Sequence, residues 1–552
     1  MITPEDWEPT DGFILEPNAH AAAIASEGSV VVAAGPGAGK TELLAQRADY
    51  LFRTGLCPYP RRILAISFKV DAARNLRERV RMRSGGRYAA RFDSLTFHAF
   101  AKRIIDNFRP ALTGAHALSA DYTVQKKESS PPTQISYADM VPLALEILEK
   151  NTHALGGIRQ TYSHVFFDEF QDATGEQYEL LRAAFGETDA LLTAVGDTKQ
   201  RIMAFAGALD GIMEKFATDF DAHRLTLYQN RRSAPTLRRM QNRMILKMEP
   251  DAASPEADLV GEDGDIEVRN FGTTTDEAEY VAGLIEDQLT AGVPASEIAV
   301  LVRQQPHLTA AELFNALDAR GIPSRNEQTS QDLAAEPAAA LIFNFIQVLA
   351  GTREPAAYAE LMRVASSSAM DEEDARRFDR KLKRRFESTS AALRDDPDCR
   401  TDIQFWRDET QAFLDLVSRP TLLALSPGYA QADRLQDLID DALDTFEEAL
   451  ENANDPLAAV YRLTGTDAIR VLTIHKCKGL EFQHVIVLGV ENETFFGSRD
   501  SARAVFFVAI SRAKSRLTLT HAAFRPRPDE AIGRWDEHRR AHDEFLGYVS
   551  DE

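Results

Sequence analysis

A chain of 552 residues is too long for one hydrophobic core, so two to four domains are expected. Its 44% hydrophobic content is that of a folded protein, and no run of about 18 apolar residues marks a membrane span. The net charge of −22 argues against a uniformly basic nucleic-acid binder but leaves room for a local cationic groove.

The acidic opening MITPEDWEPTDG lacks the basic-then-apolar pattern of a signal peptide. Cys57, Cys399 and Cys477 stand far apart with no CxxC, which disfavours a disulfide framework, a zinc site or an iron–sulfur cluster. A cytoplasmic protein without membrane contact is the expectation.

In chain order, the apolar run Ser29–Ala34 predicts a buried strand. It ends in Gly35-Pro36-Gly37-Ala38-Gly39-Lys40-Thr41, and a helical pattern follows. That is the Walker A context: small residues let successive N–H groups face one concavity, and a helix N-terminus adds positive potential. Lys40 is the candidate for the β- and γ-phosphates of ATP and Thr41 for Mg²⁺; Ala34 occupies the first position of the pattern in place of Gly. "RRILAISF" (61–68), "HVFFDEFQDA" (164–173) and "ALLTAVGDTKQ" (190–200) predict three more strands, each with polar residues at its carboxyl end. Strands alternating with helices imply a parallel sheet, which collects ligands at those ends. Asp168 is placed to hold the metal and Glu169 to orient or deprotonate the attacking water, the minimum kit for phosphoryl transfer.

Residues 103–161 turn polar and then helical ("KKESSPPTQIS", "ADMVPLALEILEKN") and read as an insertion. A second β/α series starts near 265 with "DIEVRNFG" and continues through "EIAVLVR" and "IPSRNE". From roughly 335 to 460 the pattern is helical and charged, and its charge runs read as solvated helix faces. "IRVLTIH" and "HVIVLGV" bring strands back, and the helix "ARAVFFVAISRAKS" leads to the strand "RLTLTHA". The expected fold class is α/β: two parallel-sheet domains, each interrupted by a mainly helical insertion.

The blocks "ILAISFKVDAARNLRERV", "LTFHAFAKRII", "FFDEFQDATGEQ", "VGDTKQRIMAFAGA", "LYQNRRS", "VLTIHKCKGLEFQHVIVLGV" and "FFVAISRAKSRLTLT" occur in that order. The series resembles superfamily 1 helicases of the UvrD/Rep/PcrA kind over both α/β halves. The resemblance implies two RecA-like domains that bind ATP and Mg²⁺ between them and step 3′ to 5′ along single-stranded DNA. On that pattern residues 1–102 and 162–227 are domain 1A, with insertion 1B at 103–161. Residues 228–335 and 463–552 are domain 2A, with insertion 2B at 336–462. Carried over by motif, Gln200 senses the γ-phosphate, Arg232 and Arg512 are arginine fingers, and Glu481 meets the ribose. Phe68, Phe97, His98, Phe205, Thr473 and His475 fall in motifs that meet DNA in similar proteins. Phe97 is the most core-like of these, and Phe205 stands where the family usually has Trp.

The departures cluster. Ala19 stands where the family has a Gln that reads adenine, 21 residues before Lys40. Glu42 replaces an Arg near the base, and Arg231 replaces the Tyr that stacks on it. Weak discrimination among bases is therefore expected, with Arg231 stacking by its guanidinium plane. In "KQRIMAFAGA", Arg201, Met203 and Ala206 replace Ser, Tyr and Arg, and Ser501 and Ala502 replace acidic residues.

Three activities fit this reading. The first is a DNA-dependent ATPase that unwinds duplex DNA. The second is a translocase serving a separate nuclease or other protein subunit, in repair or antiviral defence. The third is a nucleotide-gated switch that binds a protein partner. DNA is expected over RNA from the resemblance alone.

Overall fold

Strand-forming runs and their carboxyl-end loops organise the molecule, a computed structural model. It describes residues 2–550 except 69, 121, 126–128, 203–206, 328–332, 335, 352–353, 369–371, 426–428, 430–433, 465–467, 529–530 and 532–534. In chain order the strands are β1 (Val30–Ala34), β2 (Arg62–Ser67), β3 (Phe92–Thr96), β4 (Thr123–Gln125), β5 (Gln134–Ser136), β6 (Tyr162–Phe167) and β7 (Leu191–Gly196). There follow β8 (His223–Leu227), β9 (Asp265–Thr273), β10 (Ile298–Val302), β11 (Ser324–Asn326), β12 (Ile469–Thr473), β13 (Phe482–Val487) and β14 (Ala513–Phe524).

The chain divides into two compact units. One comprises Met1–Arg269, Cys477–Leu519 and Arg540–Glu552; the other comprises Asn270–Lys476 and Thr520–Arg539. In the first unit, a six-stranded sheet runs β3-β2-β6-β7-β1-β8 with every pair parallel. Side chains alternate between its faces with period two. Val30, Val32, Ile63 and Phe166 meet the helix Lys40–Arg53 through Leu43, Leu44 and Leu51. Val31, Leu64, Val165 and Phe167 share a second core with helices Phe97–Phe108 and Tyr137–Lys150. Both faces are covered, which is why β1 reads as a continuous apolar run and β6 is buried at every position. The segment expected to be an insertion thus contributes helices to the core of the sheet itself, together with the small parallel pair β4–β5.

Arg47, on the helix Lys40–Arg53, is 0% exposed. Its Nη1 donates to the carbonyls of Ala22, Ala23 and Ala25 at 2.7, 3.2 and 2.8 Å, and its Nε to Thr193 Oγ1 at 2.9 Å. Those acceptors tie the N-terminal helix Pro17–Ile24 to the sheet, while burial draws the guanidinium down to about 10.

The same unit holds the parallel pair β13–β14 and the apolar helix Arg499–Ile510. The second unit carries the parallel set β11-β12-β10. Its helical part, from Pro337 to Thr464, packs around buried Trp406 and the stacked rings of Phe345 and Phe413, 4.1 Å apart. The architecture is α/β with parallel sheets, of the RecA-like type. Among the described residues no helix is long and apolar enough to cross a membrane.

Candidate active site

The loop after β1 turns on two glycines in the left-handed region, Gly37 (φ +71°) and Gly39 (φ +79°). A Cβ on Gly37 would lie 2.1 Å from Asn230 Oδ1 and 2.7 Å from Arg232 Cβ, so only glycine fits. Arg231 N donates to Gly37 O at 3.1 Å, which binds the loop to the segment after β8. Gly39 has no side chain to cap the helix Lys40–Arg53, so first-turn N–H groups are left for an anion. Lys40 Nζ rests 3.3 Å from Ala34 O. Gly35, Pro36 and Ala38 complete the loop, and Thr41 stands in the first turn of the helix.

Asp168 and Glu169 follow β6. Asp168 N extends the ladder to Ile66 O at 3.0 Å, and Asp168 Oδ1 accepts from Glu169 N at 3.0 Å. Glu169 sits at φ +53°, a conformation that costs a non-glycine residue free energy and turns its carboxylate out of the strand line. Gln171 Nε2 donates to Glu169 Oε2 at 2.6 Å, and Gln171 Oε1 accepts from Asp197 N at 2.9 Å. Burial and the neighbouring Glu169 charge push the Asp168 carboxyl up. Burial also opposes ionisation of Glu169, but Lys40, Lys478, the Gln171 hydrogen bond and Arg512 outweigh it and hold Glu169 well below the ordinary range. The pair therefore splits into one carboxyl that a cation would relieve and one that stays an anion.

Gln200, at the end of the turn after β7, is buried. Its Nε2 donates to Asp197 Oδ2 at 2.7 Å and its Oε1 accepts from Arg512 Nη2 at 2.6 Å. Arg512 also donates to Val508 O (3.1 Å), Leu480 O (3.4 Å) and Ser511 Oγ (2.8 Å). Burial, then the nearby Arg232 charge, lowers it to about 10. Arg232 Nε donates to Glu481 Oε2 at 2.6 Å and its Nη1 to Ser511 O at 3.2 Å. Loop, carboxylates, Gln200 and both arginines therefore lie in one compact unit and one hydrogen-bonded network.

The base-side residues behave differently. Ala19 is buried in the helix Pro17–Ile24. The Glu42 carboxylate, read as facing a nucleotide, is occupied instead by Arg83 (2.8 and 3.2 Å), Arg79 (3.4 Å) and Gln46 (2.9 Å). Burial raises its pKa, and those partners, Arg83 first, bring it below the usual range. Arg231 is exposed and donates to Gln229 Oε1 at 3.0 Å.

Of the DNA candidates, Phe97 is 5% exposed and packed in the sheet core, because it opens a helix lying on that face; it offers no face to a base in this arrangement. Phe68 and His98 are half-buried at the carboxyl ends of β2 and β3, and His98 meets Tyr137 edge-on at 5.9 Å. Thr473 ends β12 and His475 follows it in the other unit, where Thr473 Oγ1 accepts from Lys476 N at 3.3 Å and His475 Nδ1 lies 3.4 Å from Arg303 Nη1. Phe205, with Met203 and Ala206, lies outside the described residues.

Three residues join the site that the sequence reading passed over. Lys478 Nζ lies 2.5 Å from Asp172 Oδ2, 3.8 Å from Glu169 Oε2 and 2.9 Å from Gln200 O. Gln171 and Asp197 carry the hydrogen bonds between the carboxylates and Gln200. Lys478 stood in the quoted "HKCKGLEF", but its acidic partner is 306 residues away in the chain. Among the described residues no cluster of three or more His, Cys, Asp or Glu could hold a metal alone. The available donors, Thr41 hydroxyl and Asp168 carboxylate, are hard oxygens that suit Mg²⁺ completed by phosphates and water.

Comparison with known proteins gives the same direction. Residues 15–131 and 115–221 match the UvrD/REP helicase N-terminal domain, and residues 225–363 and 424–523 the UvrD-like helicase C-terminal domain. The chain is 22% identical to DNA helicase II of Escherichia coli over 96% of its own length and 86% of that protein's. It is 22% identical to the ATP-dependent DNA helicase PcrA of Leuconostoc citreum over 90% and 80%. Against DNA helicase II of Haemophilus influenzae it is 24% identical over 71% of this chain and 59% of that protein.

Proposed function

The chain belongs to the UvrD-like superfamily 1 helicases, a family of ATP-dependent DNA helicases, and on that premise we propose that it steps 3′ to 5′ on single-stranded DNA and unwinds duplex. The observation that carries this reading is the unbroken path Glu169–Gln171–Asp197–Gln200–Arg512 beside the phosphate loop.

The loop amides and Lys40 take the triphosphate. Thr41 and Asp168 would hold Mg²⁺, which supplies charge neutralisation at the phosphates when bound. Glu169, kept anionic by its cationic neighbours, accepts the proton as water oxygen bonds to the γ-phosphorus and the β–γ bridge breaks. Gln200 reports the γ-phosphate, while Arg512 and Arg232 meet the charge that develops on it. Arg512 needs little reorganisation, since four acceptors already orient its guanidinium. Glu481 takes the ribose. Nucleotide-driven closure of the two RecA-like domains is the coupling, with Phe68, His98, Thr473 and His475 along the strand path. No described residue favours the nuclease-partner or switch readings.

The test is ATP hydrolysis with and without single-stranded DNA, with Lys40→Ala as control, followed by unwinding of duplexes carrying a 3′ or a 5′ tail. Stimulation by the strand and unwinding only from the 3′ tail are expected. Hydrolysis indifferent to DNA overturns the motor, and unwinding from the 5′ tail overturns the polarity.

A further inference from the structure

Lys199 has no part in the scheme above, yet it is 5% exposed and stands one residue before Gln200. Its Nζ lies 3.2 Å from Asp197 Oδ1 and 3.1 Å from Glu249 Oε2. The Thr198 hydroxyl donates to the other Glu249 oxygen. The Asp197 side chain is fully buried, and its second oxygen accepts from Gln200 Nε2 at 2.7 Å. A buried carboxylate needs a counter-charge, and Lys199 supplies one in direct contact. Burial alone would pull the ammonium down; Asp197 and Glu249 reverse that and hold it above its ordinary value.

Glu249 immediately follows the helix Pro235–Met248. The other end of that helix begins three residues after Arg232. One lysine thus joins the turn bearing Gln200 to the far end of the helix whose approach bears Arg232.

We propose that Lys199 is a positioning residue: by neutralising Asp197 and clasping Glu249 it fixes Gln200 for hydrolysis and holds it in register with the segment of Arg232. In this role it acts through Gln200. The proposal rests on the hydrolytic reading of this site.

The experiment uses the full chain and measures kcat and KM for ATP with saturating single-stranded DNA, per molecule competent to bind a non-hydrolysable ATP analogue. Lys199→Met is expected to lower kcat about tenfold with KM within about twofold, the pattern of a lost transition-state interaction. Lys199→Arg restores most of the rate. In a Gln200→Ala background, Lys199→Met costs nothing further, because its effect passes through Gln200. Multiplicative losses in that cycle, or a raised KM with kcat unchanged, overturn the proposal. So does a full rate per competent molecule in Lys199→Met, which assigns the lysine to folding alone. A wild-type chain no faster than Lys40→Ala is a different outcome: it removes the hydrolytic reading, and this proposal with it.

Discussion

Arg232 and Glu481 are joined by a 2.6 Å hydrogen bond, although 249 residues separate them in the chain. Both read as nucleotide contacts, and each orients the other. Arg232→Ala is expected to lower kcat by about 10³, the scale of a lost arginine finger. Glu481→Gln keeps the shape but takes the negative charge out of the hydrogen bond to Arg232, and about a tenfold loss is expected. The loss persists with 3′-deoxy-ATP; a loss that disappears with that nucleotide assigns Glu481 to the ribose alone.

Gly37 and Gly39 make different demands on the same loop. Gly37→Ala puts a Cβ against Asn230 and Arg232, whereas nothing lies within 4 Å of a Cβ on Gly39. Gly39→Ala meets only the left-handed backbone penalty, about 1–2 kcal/mol. Titration with a fluorescent ATP analogue should show the larger affinity loss for Gly37→Ala, with circular dichroism of both variants unchanged.

The base-side residues predict tolerance. Ala19 has no hydrogen-bonding side chain, and Glu42 is saturated by Arg83, Arg79 and Gln46. A site without polar reading of its substrate discriminates weakly, whereas one that hydrogen-bonds it rejects analogues strongly. The kcat/KM values for ATP, GTP and CTP are expected within about tenfold of one another. An ATP preference of a thousandfold would contradict this.

Two histidines predict an acid limit. His164 lies 3.0 Å from Ser163 Oγ and His484 2.9 Å from Thr518 Oγ1. Burial, with Arg47 and Arg61 near the first and Arg516 near the second, drives each down to about 3. The unfolded chain takes up protons near pH 6.5 that these native imidazoles refuse, so stability is complete above that pH and falls as pH drops toward 3. The slope reaches about 1.4 kcal/mol per pH unit for each histidine. Melting temperatures from pH 7.5 to 5 should decline, and less steeply in His164→Gln and His484→Gln.

The catalytic strands were legible because their chemistry and their burial coincide. β1, β6 and β7 are mostly apolar, buried strands followed or ended by glycine or carboxylate, so pattern and motif mark the same residues. β3 and β8 were not separately recognised. They are the sheet's two edges, and "FDSLT" and "HRLTL" carry too few apolar residues to announce a strand. Glu42 shows the other limit. Its position beside the loop suggested a nucleotide, but Arg83 lies 41 residues away, and no local pattern reveals that the two are paired. Lys478 and Asp172 escaped for the same reason, since long-range ionic partners leave no periodicity.

The arginine at position 47 has a practical corollary. Three of its acceptors are carbonyls contributed by residues 22–25. Trimming the first two dozen residues, as one trims an untidy leader for crystallisation, would strip the Ala22 and Ala23 carbonyls from a cation buried in a greasy interior. The modest opening stretch is a keystone, and a shortened clone should be expected to precipitate.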